Sequence, residues 1–273
     1  EDYLPDVSLR LSFYRKLLPI INRIVQKIFS KKIPVFLLYF FGGIILISLA
    51  LSPIVNYKIG GLFFGQVPKL YNVNLAQFFF TQAANPIIGT TPQYSNYQLA
   101  RTYFIQGKLQ ETLTEAYKEI ELYPTSTKTY YMLGLTYGYM GQERKAIEMF
   151  SIYIDKVPTS WAARNDKAWL QFRIGDIDGA LVTLEPVTHL TNVIWVQNSY
   201  GVMLLNKGRY PEAKKAFTYA EKIAETMTPE SWGIAYPGND PRIYTTGLQA
   251  MKTSIENNLE IIKNIETKKK LQK

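Results

Sequence analysis

Four glycines recur at an almost constant interval in the second half of the chain, and this period limits the possible folds more than any other feature. Gly107, Gly141, Gly175 and Gly208 lie 34, 34 and 33 residues apart. An apolar pattern with helical spacing precedes and follows each of them. A glycine in a short turn can adopt positive φ and end the preceding helix. The sequence therefore predicts stacked helix pairs, because one pair cannot bury its apolar face alone.

The residues around these glycines resemble the signature of the tetratricopeptide repeat (TPR) family. In that signature, small residues let the two helices of a pair approach closely, and large residues fill the gaps between pairs. The third unit departs from it, because Lys167 and Gln171 replace the usual Leu and Tyr, and Pro186 should shorten or kink its second helix. The other three units match at Leu99, Ala100, Tyr103, Ala116 and Pro124; at Leu133, Gly134, Tyr137, Ala146, Phe150 and Pro158; and at Tyr200, Gly201, Tyr210, Ala213, Phe217 and Ala220.

The resemblance implies an all-α chain with a TPR α-solenoid of about four helix pairs over residues 93–228. The expected units are about 93–126, 127–160, 161–193 and 194–228.

The last segment, 229–273, is predicted to close the array. Residues 229–240 have the composition of a loop, and Lys268, Lys269 and Lys270 that of a frayed, solvated tail. Between them, an apolar stripe predicts a C-terminal capping helix. The residues of this stripe are Leu248, Met251, Ile255, Leu259 and Ile262.

A second feature is the absence of charged residues from Ile33 to Tyr57. Roughly 20 apolar residues cross the ~30 Å hydrocarbon layer as a helix, so residues 33–55 are predicted to form a single transmembrane helix. The alternative is a signal peptide cleaved after Ser52, although its apolar core is typically only ~7–15 residues long and Pro53 would follow the cut. The Lys and Arg excess before the span predicts a cytoplasmic N-terminus, with the repeats on the opposite side.

Residues 1–32 are predicted to be a basic amphipathic cytoplasmic arm that lies on the inner leaflet. They hold seven Lys and Arg against three acids, and each base near an anionic surface contributes at most ~1 kcal/mol. Packing against a partner subunit would produce the same pattern. The candidate membrane-surface residues are Arg15, Lys16, Arg23, Lys27, Lys31 and Lys32.

Residues 56–92 are interpreted as an aromatic-rich juxtamembrane linker. Within it, the stretch around Phe78, Phe79 and Phe80 is expected to form a helix that caps the first repeat or lies on the outer leaflet. Three consecutive phenylalanine side chains exposed to water would be unfavourable, so other groups must cover them. That cover is either the chain itself or a partner.

The sequence offers little for catalysis. It has no cysteine and one histidine, His189, so a metal site is not expected. Asp176 and Asp178 lie at a turn between helices, where capping is the ordinary role of a carboxylate. We therefore expect no enzyme activity, no cofactor and no small-molecule substrate. Nucleic acid is not an expected partner either, because the positive charge is concentrated at the two ends of the chain rather than on the repeats.

In TPR proteins, the first helix of each pair lines a concave groove, and repeat register therefore gives the candidate partner-binding residues. Asn165 and Asn198 occupy equivalent positions one repeat apart, which suits hydrogen bonding to a peptide backbone. The full candidate set is Tyr97, Arg101, Phe104, Tyr131, Leu135, Tyr139, Asn165, Trp169, Arg173, Asn198, Val202 and Leu205.

These patterns favour a membrane-tethered scaffold that binds a protein or peptide, with partners among membrane or envelope proteins and a role in envelope assembly or secretion. One alternative is a permanent structural subunit of a large membrane complex. Another is a lipid- or nucleic-acid-binding protein that uses its basic termini.

Overall fold

A computed structural model of the chain describes residues 35–235 and 244–272, together with 19–20, 22–23 and 26. Arg23 is helical and exposed. The other predicted membrane-surface residues, Arg15, Lys16, Lys27, Lys31 and Lys32, lie outside the described residues.

The described part of the chain is helical throughout, which confirms the predicted all-α class. Two helices, α1 and α2, come before the first long connection, and α3 follows it. Their bounds are Val35–Leu51 (α1), Pro53–Gly61 (α2) and Val73–Ala84 (α3). The next eight are Ser95–Ile105 (α4), Leu109–Leu122 (α5), Thr127–Tyr139 (α6), Glu143–Lys156 (α7), Trp161–Arg173 (α8), Ile177–Leu184 (α9), Ile194–Asn206 (α10) and Tyr210–Thr226 (α11). The last two are Pro229–Ala235 (α12) and Tyr244–Leu271 (α13).

The four periodic glycines end α4, α6, α8 and α10 as their spacing predicts. Their φ values are 74°, 70°, 86° and 74°, a region that is open to glycine and costly for other residues. After each one, the next N–H returns to a carbonyl of the last helical turn; for example, Gln142 N donates to Tyr137 O over 2.9 Å. This is the Schellman closure, and it fixes the sharp turn within each helix pair.

Inside the second and fourth pairs, a glycine on the first helix faces a phenylalanine on the second. A Cβ added at Gly134 would lie 2.8 Å from the Phe150 ring, and one added at Gly201 would lie 2.7 Å from the Phe217 ring. Both rings are buried, so the close approach of the helices depends on glycine.

The region predicted as a linker contains a further helix pair of the same kind, α2 and α3. A Cβ at Gly60 would lie 2.7 Å from the Phe80 ring. Phe80 is buried between Ala76 and Ala83 on α3, with the same spacing as Ala213, Phe217 and Ala220 on α11. The expected helix around Phe78–Phe80 forms as α3 and packs on α4, as a cap of the first repeat would. The description of 56–92 as a linker is corrected, because this N-terminal helix pair (α2 and α3) begins the array.

The prediction of a single transmembrane helix over 33–55 is also corrected, because the chain bends by 65° between α1 and the helical segment from Pro53 to Gln66. Pro53 has no N–H to continue the helix, and Ser52 before it adopts an extended conformation. Asn56 is buried, and its Nδ2 donates to Ala50 O over 2.8 Å and to Ser52 O over 3.1 Å. In the described residues no single helix is long and apolar enough to cross a bilayer, whereas this bent pair meets the criterion of length and composition.

The first TPR-like unit is tied to the preceding loop by a buried carboxylate. Tyr94 precedes α4 with φ 69° and gives no side-chain cap. Glu119, on α5, supplies the cap instead: it accepts from Tyr94 N over 2.7 Å, from Tyr97 N over 3.3 Å and from Ser126 Oγ over 3.1 Å. The free amides at the start of α4 are thus satisfied from the neighbouring helix.

Two expectations for the C-terminal half differ in outcome. α9 ends at Leu184 and continues as a short 3₁₀ turn through Pro186, which confirms the predicted shortening. The predicted loop from 229 is wrong for its first part, where α12 forms. Pro229 occupies the first turn of α12, and Thr228 and Ser231 cap each other reciprocally.

The capping helix α13 packs on α11 through its predicted stripe, in which Leu248, Ile255 and Ile262 are buried. The expected frayed tail is corrected, because α13 stays helical to Leu271. There, Lys269 Nζ lies 4.6 Å from the centre of the Tyr210 ring. That cation–π contact holds the end of the helix against α11.

Candidate functional site

All twelve candidate groove residues lie on the first helices of the four pairs, three on each of α4, α6, α8 and α10. Their side chains differ in what they contact. Tyr139 and Arg173 are exposed, Asn165 and Asn198 are buried, and the others are half-buried.

At the N-terminal end, Arg101 contacts the connection between α2 and α3. Its guanidinium lies 4.7 Å from the centre of the Phe64 ring and 5.8 Å from that of Tyr97, and it donates to Gln98 Oε1 over 2.9 Å. Burial raises the pKa of the Tyr97 phenol, and Arg101 partly opposes that shift. Phe64 was not predicted as part of this surface, because nothing in the sequence places it beside Arg101.

In the middle of the array, aromatic side chains of neighbouring first helices meet. Phe104 and Tyr139 pack edge to face with ring centres 5.3 Å apart, and Tyr139 is 73% exposed. Tyr131 donates its hydroxyl to Asp166 Oδ2 over 2.8 Å, and its ring packs on Tyr153. Tyr139 is therefore the aromatic residue most available to a partner, whereas Tyr131 also holds two repeats together.

Further along the array, a chain of two side-chain hydrogen bonds connects α8 to α10. Trp169 Nε1 donates to Ser199 Oγ over 2.7 Å, and Ser199 Oγ donates to Asn165 Oδ1 over 2.6 Å. The interpretation of Asn165 and Asn198 as clamps for a peptide backbone is corrected, because both side chains are buried. They also differ from each other, since Asn198 Oδ1 has no hydrogen-bond partner among the described residues.

Arg173 lies at the end of α8, where its Nη2 is 2.8 Å from Glu143 Oε1 at the start of α7. One repeat later, Lys207 Nζ lies 2.8 Å from Asp178 Oδ1. These equivalent ion pairs join each first helix to the second helix of the preceding unit. The charge of Arg173, like that of Arg101, is thus engaged within the chain.

The remaining candidates, Leu135, Val202 and Leu205, are apolar, and part of each side chain packs against the hydrophobic core. Leu135 contacts the core of the first two units, and Val202 and Leu205 contact the core formed by α10, α11 and α13.

A stack of tryptophans next to this surface was missed. Trp161 and Trp195 are nearly parallel with ring centres 5.7 Å apart, and Trp195 lies 4.6 Å from Trp232 on α12. The 34-residue spacing of the first two could have revealed their contact, because it places them at the same position of successive units.

Within the described part of the chain, no three His, Asp or Glu side chains are grouped as a metal site requires.

Comparison with known proteins identifies the fold of the helical array. The tetratricopeptide repeat family matches residues 128–160, which include nearly all of α6 and all of α7. The structure is similar to that of MamA, with 21% identity and a TM-score of 0.51 over 56% of this chain and 89% of that one. It is also similar to YrrB, described as a TPR protein with an unusual peptide-binding site, with 16% identity and a TM-score of 0.53 over 65% of this chain and 89% of that one.

A third similar structure is TTC0263, a thermophilic TPR protein in Thermus thermophilus, with 16% identity and a TM-score of 0.51 over 75% of this chain and 98% of that one. No curated protein sequence matches the chain. The described array therefore has the TPR fold, and residues 128–160 match the tetratricopeptide repeat family.

Proposed function

We propose that this chain is a membrane-tethered scaffold, and that its TPR array binds a protein or an extended peptide along the first helices of the repeats. The observation that carries the proposal is the row of aromatic side chains on those helices, in which Tyr139 is 73% exposed and Phe104, Tyr131 and Trp169 are half-buried. Aromatic residues with a polar group supply much of the contact energy at protein interfaces. YrrB, which shares the fold, is described as having a peptide-binding site.

The tether is supported by α1, in which most of the side chains whose exposure is described are apolar and exposed. Phe41, Ile44, Ile45, Leu46 and Ile47 are all exposed. At 1.5 Å per residue, its 17 residues extend roughly 25 Å, so α1 alone is shorter than the ~30 Å hydrocarbon layer but long enough to enter it as an anchor. A contiguous apolar surface of this size needs a lipid or protein cover.

The charge asymmetry supports the orientation already expected, with the N-terminus cytoplasmic and the array on the other side. Envelope assembly or secretion is the setting that this layout favours. TPR proteins are generally scaffolds without catalytic activity, and we propose the same here.

The experiment is a pull-down from native membranes in a mild detergent, followed by mass spectrometry. It compares the unchanged chain with Tyr139→Ala, because the Tyr139 side chain is exposed and its removal leaves no cavity in the core. Tyr117→Ala, on the second helix of the first unit, is the matched control. Loss of a stoichiometric partner with Tyr139→Ala alone supports the proposed surface.

If the partner is retained by both variants but lost when residues 1–51, which end with α1, are deleted, the partner is held by the membrane end. That outcome contradicts binding along the array and favours a permanent subunit of a membrane complex.

A further inference from the structure

The N-terminal helix pair and its flanking loops expose far more apolar surface than the rest of the array. Eight large apolar side chains are exposed between residues 53 and 92, against six in the much longer stretch 95–226. Phe78 is 56% exposed and Ile87 is 77% exposed. The eight residues are Ile54, Leu62, Leu70, Tyr71, Leu75, Phe78, Ile87 and Ile88.

The same segment has an unusual charge composition. Residues 33–92 contain no acidic residue, and the two bases, Lys58 and Lys69, are both exposed. A water-facing surface normally carries about 25–35% charged residues with both signs mixed. A surface with aromatic and aliphatic groups and only positive charge instead complements a layer that is apolar inside and anionic at its edge.

Helix α3 shows that this exposure is not a packing defect. Its inner face, with Ala76, Phe80 and Ala83, is buried against α2 and α4. Leu75 and Phe78 are one helical turn apart on the opposite face and remain exposed. The outer face also carries Asn74, Thr81 and Gln82, so Leu75 and Phe78 belong to a mixed polar and apolar surface of the kind that suits a membrane–water interface, and the described chain leaves these two side chains exposed.

The exposed face continues directly from α1. The exposed apolar residues of α1 extend to Leu49, and Ile54 resumes the pattern after the bend. Within an apolar layer, each free backbone carbonyl costs several kcal/mol. Asn56 satisfies the carbonyls of Ala50 and Ser52 at the bend, so the chain can turn there without leaving them unpaired.

We infer that the N-terminal helix pair lies on the membrane surface, with Tyr71, Leu75 and Phe78 inserted at the level of the lipid headgroups and Lys58 and Lys69 toward anionic lipids. The inference rests on the proposed membrane tether. It makes the first unit of the array a lipid-binding module that fixes the array at the bilayer, so that α3 both caps the next repeat and lies on the leaflet, the two alternatives that the sequence left open.

The test uses the absence of cysteine from the chain, which allows single-cysteine labelling of the full-length protein. Phe78→Cys, Ile47→Cys and Tyr139→Cys are each labelled with an environment-sensitive fluorophore and reconstituted into vesicles of phosphatidylcholine and phosphatidylglycerol. Spin-labelled lipids then quench the fluorophore at a shallow or a deep position. We expect several-fold stronger shallow quenching at residue 78 than at residue 139, and deep quenching at residue 47.

Three results would overturn the inference in different ways. If residue 78 behaves like residue 139 while residue 47 is quenched, the surface contact is absent and the tether stands. If residue 47 is also unquenched, the tether itself fails. If the fluorophore at residue 78 is shielded from water but no lipid quenches it, a protein or a second copy of the chain covers this face.

A charge variant sharpens the result. Lys58→Gln with Lys69→Gln should reduce the shallow quenching at residue 78 in vesicles that contain phosphatidylglycerol and leave it unchanged in pure phosphatidylcholine. Equal quenching of the variant and the unchanged chain in both vesicles contradicts the assignment of these lysines to anionic lipid.

Discussion

The N-terminal helix pair and the fourth pair, α10 with α11, have nearly the same interior. In each, a glycine on the first helix leaves room for a buried phenylalanine on the second: Gly60 with Phe80, and Gly201 with Phe217. A Cβ at either glycine would lie 2.7 Å from the ring it faces. The same contact between a glycine and a phenylalanine therefore brings the two helices together in both pairs.

Their exteriors differ. The outer face of α11 carries exposed charged residues such as Glu212, Lys214 and Lys222, whereas the outer face of α3 carries Leu75 and Phe78. The same packing inside a helix pair therefore occurs in two environments, because the residues on its outer face decide whether water or another apolar surface covers it.

Removing the central phenylalanine should have the largest effect on both pairs. Phe217→Ala and Phe80→Ala should each lower the free energy of unfolding by about 3–5 kcal/mol, because each leaves a cavity in a buried core. Urea unfolding in a mild detergent, followed by circular dichroism, measures this. Phe78→Ala is the control and should change it by less than about 0.5 kcal/mol. An unchanged stability for Phe80→Ala would remove the N-terminal pair from the cooperative unit.

The next largest effect on the free energy of unfolding should come from the opposite change, which adds a methyl group where the two helices of a pair approach closely. Gly60→Ala and Gly201→Ala should each cost about 1–3 kcal/mol, because neither ring has room to move. Gly43→Ala in α1 is the control, since no atom lies within 4 Å of the added Cβ. Its helix should gain up to about 1 kcal/mol. A harmless Gly60→Ala would show that α2 and α3 are loosely packed.

The sequence predicted the four later pairs because their turns have a constant length. In the fourth pair, 16 residues separate Gly201 from Phe217, and the same number separates Gly134 from Phe150. In the N-terminal pair, 20 residues separate Gly60 from Phe80, because a longer connection that includes Leu62–Gln66 joins the helices. A search for a fixed period therefore missed a pair whose core is the same.

The sequence predicted which helices carry the candidate surface, but it did not predict which contacts the side chains on them make. Repeat register places Asn165 and Asn198 at equivalent positions, yet only Asn165 accepts a hydrogen bond from Ser199. Whether a polar residue is free depends on side chains roughly 30 residues away, such as Ser199 beside Trp169. Those contacts follow from the stacking of the units, which no single repeat encodes.

The start of α4 and the start of α8 are capped differently, and this gives a third prediction. Glu119 caps α4 from another helix, whereas Ser160 Oγ caps α8 locally by accepting from Ala163 N. Glu119→Ala should cost about 1–3 kcal/mol because it leaves buried donors unpaired, and Ser160→Ala about 1 kcal/mol. Thermal unfolding compares them. Equal small losses would mean that water replaces Glu119.

The second and third pairs differ at the position of Leu133, which Lys167 occupies in the third. Burial lowers the pKa of the Lys167 ammonium, so the folded state binds this proton more weakly than the unfolded state. The resulting cost is fully present at neutral pH and declines as pH rises toward the usual lysine range. Lys167→Leu should therefore add about 0.5–2 kcal/mol at neutral pH.

The pH dependence provides the check on this variant. The gain from Lys167→Leu, measured by urea unfolding, should shrink as the pH is raised above neutrality. A gain that is the same at every pH would show that better packing, and not the removal of a partly buried charge, stabilises the variant.

The smallest effect is expected at the exposed ion pairs that join neighbouring units. Arg173 and Glu143 are 54% and 24% exposed, so Arg173→Ala should cost only about 0.2–1 kcal/mol. A double-mutant cycle with Glu143→Ala isolates their coupling, which should fall as salt is added because exposed charges are screened. A different outcome is that Arg173→Ala leaves stability unchanged and weakens partner binding. Arg173 would then belong to the binding surface, as repeat register predicted, and its contact with Glu143 would only orient its side chain toward the partner.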